Sequence, residues 1–157
     1  FKNTLFVITA DHTSISKNPF YQYNIGRFHV PFILYNPQEP IRKTIESTCT
    51  PGDIIPTLNK MTGIKGPWFS AGQDAIKSAD AIAVMRSDNE FTSIQYPFVL
   101  YTGFDGKPVK FFKIDSIQNQ IDLKLTGVRF KNMHEYTLNY VRQHYHAILK
   151  NKWNTFK

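Results

Sequence analysis

The first residues placed to do chemistry are Asp11 and His12, in the stretch TLFVITADHTS that runs from Thr4 to Ser14. Just before them, Leu5 to Ile8 is an apolar run rich in β-branched and aromatic side chains, the pattern of a strand buried on both faces. Such a run is expected to end at a sheet edge, and open parallel sheets bind their ligands beyond the carboxyl ends of strands. A carboxylate and an imidazole on consecutive residues at that end are therefore placed for work on a ligand. The competing structural reading makes Asp11 a turn or helix cap and His12 an ordinary surface residue. Thr13 and Ser14 follow as loop residues with no general base evident beside them, so neither is assigned as a nucleophile.

The elements that must hold this pair can be read from the rest of the chain. TSISKNPFYQYN carries turn formers and aromatics without a helical period and is expected to be a loop over the end of the sheet. VPFILYNP offers a second buried strand, Phe32 to Tyr35, closed by Asn36 and Pro37 and neighbouring the first. In TCTPGDIIPTLNKMTGI, Thr50 or Asp53 can cap a helix that carries Ile54, Ile55, Leu58 and Met61 on one face. Pro56 falls in its first turn and Gly63 stops it. Beyond GIKGPWFSAGQD, where Trp68 and Phe69 are expected to cover the joint between two halves, the pattern turns to short strands. These are expected at Ala81 to Met85, Tyr96 to Thr102 and Val109 to Ile114, with Asp105-Gly106 as a hairpin signal between the last two. Met133 to Leu149 reads as an amphipathic terminal helix, with Leu138, Val141, Tyr145 and Ile148 stepping by three and four.

Composition narrows the function classes. The chain has 157 residues, 41% of them hydrophobic, enough for one core or a core and a small satellite. Its single cysteine, Cys49, excludes an internal disulfide framework and cannot by itself build a zinc site. No apolar run approaches the roughly 18 residues that span a bilayer, and no signal-peptide pattern opens the chain. The formal charge is +7, and its excess belongs to the tail: residues 1–102 carry nine Lys/Arg against eight Asp/Glu, residues 103–157 ten against four. Lys107, Lys110 and Lys113 are spread along KPVKFFKIDS and fit a solvated face better than a polybasic arm. No nucleic-acid-binding motif accompanies the charge, so no nucleic-acid partner is expected. His144 and His146 point to different faces of the terminal helix and cannot share a metal; with His134 they are expected to be packing or solvent residues.

Taken together, NTLFVITADHTS, YQYNIGRFHVPFILYNP, GDIIPTLNKMTGI and YVRQHYHAILKNKW resemble the carboxyl-terminal part of the alkaline phosphatase superfamily. They are most similar to the sulfatase-like, lipoteichoic-acid-synthase-like membrane phosphoglycerol transferases of bacteria. The resemblance lies in order and spacing: an Asp-His at a strand end, an aromatic loop, VPFILY, then DIIPTL. It implies an α/β fold: the carboxyl-terminal part of a sulfatase-like sheet with flanking helices, then a small antiparallel β-hairpin subdomain and a terminal helix. The expected domains are 1–75, the metal-binding half, and 76–157, the hairpin and helix.

The same resemblance implies that Asp11 and His12 bind a divalent metal, Mn²⁺ or Mg²⁺ foremost, with Ca²⁺ or Zn²⁺ as alternatives. A carboxylate and an imidazole suit such an ion. The family's nucleophile and its partner acidic ligand come from segments amino-terminal to this pair, so they are expected upstream of Phe1, in the same polypeptide. The family more often has Gly after Asp-His, where this chain has Thr13. Arg27 and His29 enter the second strand and could face a phosphate or sulfate ester at the same edge; a structural role is the alternative.

Two functions from different classes follow. One is a segment of a membrane-anchored, extracytoplasmic phosphoglycerol or phosphoethanolamine transferase or sulfatase. It acts on anionic lipid or glycan esters, is inactive alone, holds its metal loosely or not at all, and self-associates through its exposed strand. The other is a stand-alone basic module for an anionic polymer or membrane surface.

Overall fold

The computed structural model describes residues 1–39, 42–66, 70–78, 80–87, 89–116 and 118–150. The chain divides into two compact units, Phe1–Thr44 and Ile45–Lys157. Trp68 and Phe69, expected to cover the joint between the two halves, lie outside the described residues.

The first unit is built on a two-stranded antiparallel pair, β1 (Phe6–Ile8) and β2 (Ile33–Tyr35). Phe6 stands opposite Tyr35, Val7 opposite Leu34 and Ile8 opposite Ile33. The two apolar runs are neighbours, as expected, but they are not buried on both faces. Ile8 is 52% exposed and Tyr35 50%, because a two-stranded ribbon has no layer of its own to lay over either side. The loop expected across TSISKNPFYQYN is in fact partly helical. The Asn18 side chain accepts the Phe20 N–H at 2.9 Å and starts a 3₁₀ turn, Pro19–Gln22, followed by the short helix α1, Asn24–Arg27. Phe20 and Ile25 are the buried side chains here. Gly26 backs directly onto the Phe20 carbonyl, a contact that any Cβ would break. Four-residue pieces held by a cap and a buried aromatic leave no 3.6-residue period in the sequence, which explains the difference.

The second unit opens on a 3₁₀ turn, Pro51–Asp53, that runs into α2, Ile54–Thr62, and stops at Gly63 as expected. The buried face of α2 differs from the expected stripe: Ile55 and Met61 are exposed, and Thr57 is the fully buried residue. The Thr57 hydroxyl bonds the Asp53 carbonyl at 2.6 Å and takes the Ala75 N–H at 3.0 Å, so a polar side chain holds this face. The sheet is a five-stranded antiparallel meander: β3 (Ala83–Arg86), β4 (Glu90–Gln95), β5 (Phe98–Gly103), β6 (Pro108–Ile114) and β7 (Gln120–Leu123). Only β3, β5 and β6 were expected. In β4 the buried positions are Thr92 and Ser93, whose hydroxyls pair with Ser87 and Thr137, so the apolar alternation that marks a strand is missing. β7 is four residues long and half of it faces water.

Val99 and Leu100 are both fully buried, as is Phe112 beside them. Successive residues of a strand point to opposite faces, so the sheet is covered on both sides. One cover is α3, Val128–Leu149, whose Phe130 and Met133 pack on Leu100 and Phe111, with Ile82, Phe98 and Leu123 around them. This helix starts five residues earlier than expected and buries Phe130, Met133, Thr137 and Ala147, while Tyr145 and Ile148 of the expected stripe are 46% and 40% exposed.

Candidate metal-binding loop

Asp11 and His12 follow β1 in the first unit, where the chain bends. Asp11 Oδ1 accepts the His12 N–H at 2.9 Å, a bond between adjacent residues. This leaves Asp11 Oδ2 3.5 Å from His12 Nε2, with the Asp11 side chain 87% and the His12 side chain 55% exposed. The other ring nitrogen, Nδ1, lies 2.9 Å from the Thr13 carbonyl oxygen. Both side chains are therefore accessible and side by side.

The loop is tied to the turn that carries the other candidates. The Thr13 N–H donates to the Arg27 carbonyl at 2.8 Å, and Arg27 is the last residue of α1. His29 follows, its N–H on the Gly26 carbonyl at 3.1 Å and its ring edge-on to Phe20 at 5.9 Å between centroids. Arg27 and His29 are exposed. One main-chain bond thus joins the segment of Asp11 and His12 to that of Arg27 and His29. Thr13 is the residue whose part could not be read from residue types: its main chain makes the bond, and backbone pairing between two loops leaves no signature in sequence. Its hydroxyl is buried and has no hydrogen-bond partner.

A carboxylate oxygen and an imidazole nitrogen 3.5 Å apart fit one cation. Bonds of about 2.1 Å place two ligands of a tetrahedral ion about 3.4 Å apart. Among the described residues there is no group of three or more His, Cys, Asp and Glu side chains that could hold a metal. Two protein ligands alone would fill only part of a coordination sphere, and two ligands hold such ions weakly.

Titratable groups elsewhere serve the fold. Burial, and then the Asp53 carboxylate, push the Cys49 thiol above its ordinary value, opposite to what a reactive thiolate needs. Tyr136 and Tyr140 are raised by burial first and Asp53 second. His134 Nε2 lies 2.9 Å from the Gly106 carbonyl and the ring stacks on Phe130, while His144 stacks on Tyr140. Among the tail lysines, Lys107 pairs with Asp105 at 3.2 Å and Lys110 with Asp122 at 3.0 Å. Lys110 also sits over the Phe112 ring.

The architecture is that of a segment of the alkaline-phosphatase fold, α/β with a small antiparallel sheet and a terminal helix at its carboxyl end. It is similar to the crystal structure of a protein in the alkaline phosphatase superfamily from Vibrio parahaemolyticus, with a TM-score of 0.72 and 19% identity over 99% of this chain. The match covers 37% of that protein's chain, so the sequence spans little more than a third of its length. No known protein family matches the sequence, and no curated protein matches it.

Proposed function

We propose that this chain is the metal-holding carboxyl-terminal segment of a larger phosphoryl- or sulfuryl-transfer domain of the alkaline phosphatase superfamily. Its particular class is the sulfatase-like phosphoglycerol or phosphoethanolamine transferases and sulfatases, acting on anionic lipid or glycan esters. One observation supports the reading: an exposed carboxylate and imidazole, 3.5 Å apart, shortly after the first strand of a chain whose fold is similar, over 99% of its length, to that of a protein in the alkaline phosphatase superfamily.

In this reading Asp11 and His12 are the ligands, and the ion they hold stabilises charge on a transferring phosphoryl or sulfuryl group and helps ionise a hydroxyl nucleophile. Arg27, exposed on the turn bonded to Thr13, offers a planar guanidinium to ester oxygens. His29 stands two residues on and offers a further donor. Thr13 is not the nucleophile, since a buried hydroxyl with no base bonded to it is not activated. The attacking group belongs to another part of the polypeptide, and this chain alone turns over neither phosphodiesters nor sulfate esters.

The reading carries with it an extracytoplasmic location at a cell membrane. In this reading the membrane anchor belongs to another part of the polypeptide; among the described residues no helix is long and apolar enough to cross a membrane. The basic-module alternative gains little from Lys107 and Lys110, each spent on an aspartate of its own hairpin.

The test is metal content and ester turnover of the polypeptide carrying this segment, with Asp11→Asn and His12→Ala compared beside a thermal melt. Loss of both metal and activity with an unchanged melt is expected. Full activity with an unchanged metal load overturns the proposal, and unfolding in both variants favours the pair as a mere loop tie.

A further inference from the structure

We infer that the main chain of Thr13 is a positioning element for His12: it fixes the ring proton on Nδ1 and leaves the Nε2 lone pair facing the Asp11 carboxylate. Its relevance to catalysis rests on the metal-site reading; the tautomer itself does not. A carbonyl oxygen only accepts, so His12 Nδ1, 2.9 Å from the Thr13 oxygen, must be the donor. In the neutral ring Nε2 is then bare. It lies 3.5 Å from Asp11 Oδ2, too far to count as a good hydrogen bond and with no proton between. Two electron-rich atoms held face to face is the arrangement that a cation completes, and a bond from the second ring nitrogen to a backbone carbonyl is the usual way to fix a ligating tautomer.

The carbonyl is itself held in place. The N–H of the same residue donates to Arg27 at 2.8 Å, and the preceding peptide N–H is held by Asp11 Oδ1 at 2.9 Å. The ring is therefore referenced to α1 through the backbone of Thr13. The Thr13 side chain takes no part in this, since its hydroxyl has no partner. The arrangement selects against solution chemistry, because a free neutral histidine side chain favours the proton on Nε2, the form that would present N–H to a metal.

The experiment is long-range ¹H–¹⁵N correlation of the His12 ring in the metal-free 157-residue chain, recorded about two units above the ordinary histidine pKa. Protonated Nδ1 and bare Nε2 are expected, and Thr13→Val should leave the pattern unchanged. Thr13→Pro removes the N–H that grips Arg27 but keeps the carbonyl; it should shift the tautomer ratio toward Nε2–H by roughly fivefold, the weight of one ordinary hydrogen bond. Thr13→Gly keeps both groups and frees the backbone, and should shift the ratio the same way by less; it decides the matter should the proline variant not fold. A wild-type ring with the proton on Nε2, or a ratio unmoved in Thr13→Gly, overturns the inference. Adding Zn²⁺ separates the two claims: an Nδ1–H ring whose Nε2 signal ignores zinc upholds the positioning role and counts against the metal site.

Discussion

Replacing Asp53 by asparagine should cost the second unit about 3 kcal/mol, although the change removes no volume and Asp53 belongs to a different unit from Asp11 and His12. Asp53 is 5% exposed. Its Oδ2 accepts the Thr50 N–H at 2.6 Å and the Thr50 hydroxyl at 3.3 Å, and its Oδ1 accepts the Gln73 N–H at 2.7 Å. The first of these is half of a capping box that starts the 3₁₀ turn into α2, and the last ties that turn to the segment twenty residues on. An asparagine has one acceptor oxygen, so whichever way its amide turns, one backbone N–H meets an NH₂. A part-buried donor left facing this buried side chain without an acceptor costs about 1–3 kcal/mol, and the bond that survives loses its charge assistance, worth roughly another 1 kcal/mol. The assay is urea unfolding with hydrogen exchange at the fully buried Val99 and Leu100 amides of β5; about 3 kcal/mol appears as roughly a hundredfold faster exchange. Gly72 belongs to the same joint, since its Cα lies against the Gly52 carbonyl. Gly72→Ala should therefore be destabilising and less than additive with Asp53→Asn. A loss below about 0.5 kcal/mol in Asp53→Asn would refute the reasoning, because desolvating an unpaired N–H cannot be that cheap.

Leu100→Ala, at a fully buried position packed by Phe111, Phe130 and Met133, should lower the stability of the sheet by about 3–4 kcal/mol, as core truncations that leave a cavity do; denaturant titration measures it. Burial raises the Glu90 carboxyl above the ordinary glutamate value, so the folded state favours the protonated form and loses stability as pH rises from that value through the raised one. Glu90→Gln should therefore be more stable than wild type at neutral pH and indistinguishable from it in acid, read from melts across that range. Ile8 and Ile33 stand opposite each other on the open ribbon, 52% and 48% exposed. The chain should self-associate with concentration in sedimentation velocity, and Ile8→Lys with Ile33→Lys should keep it monomeric.

What could be read from the sequence follows from where hydrophobic periodicity carries the fold. β5, β6 and α3 were legible because Leu100, Phe111, Phe112 and Met133 are large apolar residues at strand or helix spacing. β4 and the buried side of α2 were not, because Thr92, Ser93 and Thr57 fill those positions with hydroxyls that find partners only in the folded chain. The first strand was found, but its two-sided burial was inferred from an apolar run, and such a run records what a segment can bury rather than what covers it. For the site, the adjacency of Asp11 and His12 is covalent and so was visible. The bond from Thr13 to Arg27, which links the segment of the second pair of candidates to that of the first, joins residues fourteen apart through main-chain atoms alone.

The central claim, that Asp11 and His12 share a divalent ion, is tested most directly by paramagnetic broadening. Mn²⁺ is titrated into the isotopically labelled chain while the side-chain and backbone signals of the first unit are followed. The account predicts broadening centred on Asp11, His12 and Thr13 at submillimolar metal, reaching Arg27 next through the main-chain contact. It also predicts that Asp11→Asn and His12→Ala each abolish this, and that binding is weak because two ligands fill only part of the sphere. Broadening spread over acidic surface residues such as Asp105 and Asp122 and unchanged in both variants would contradict it.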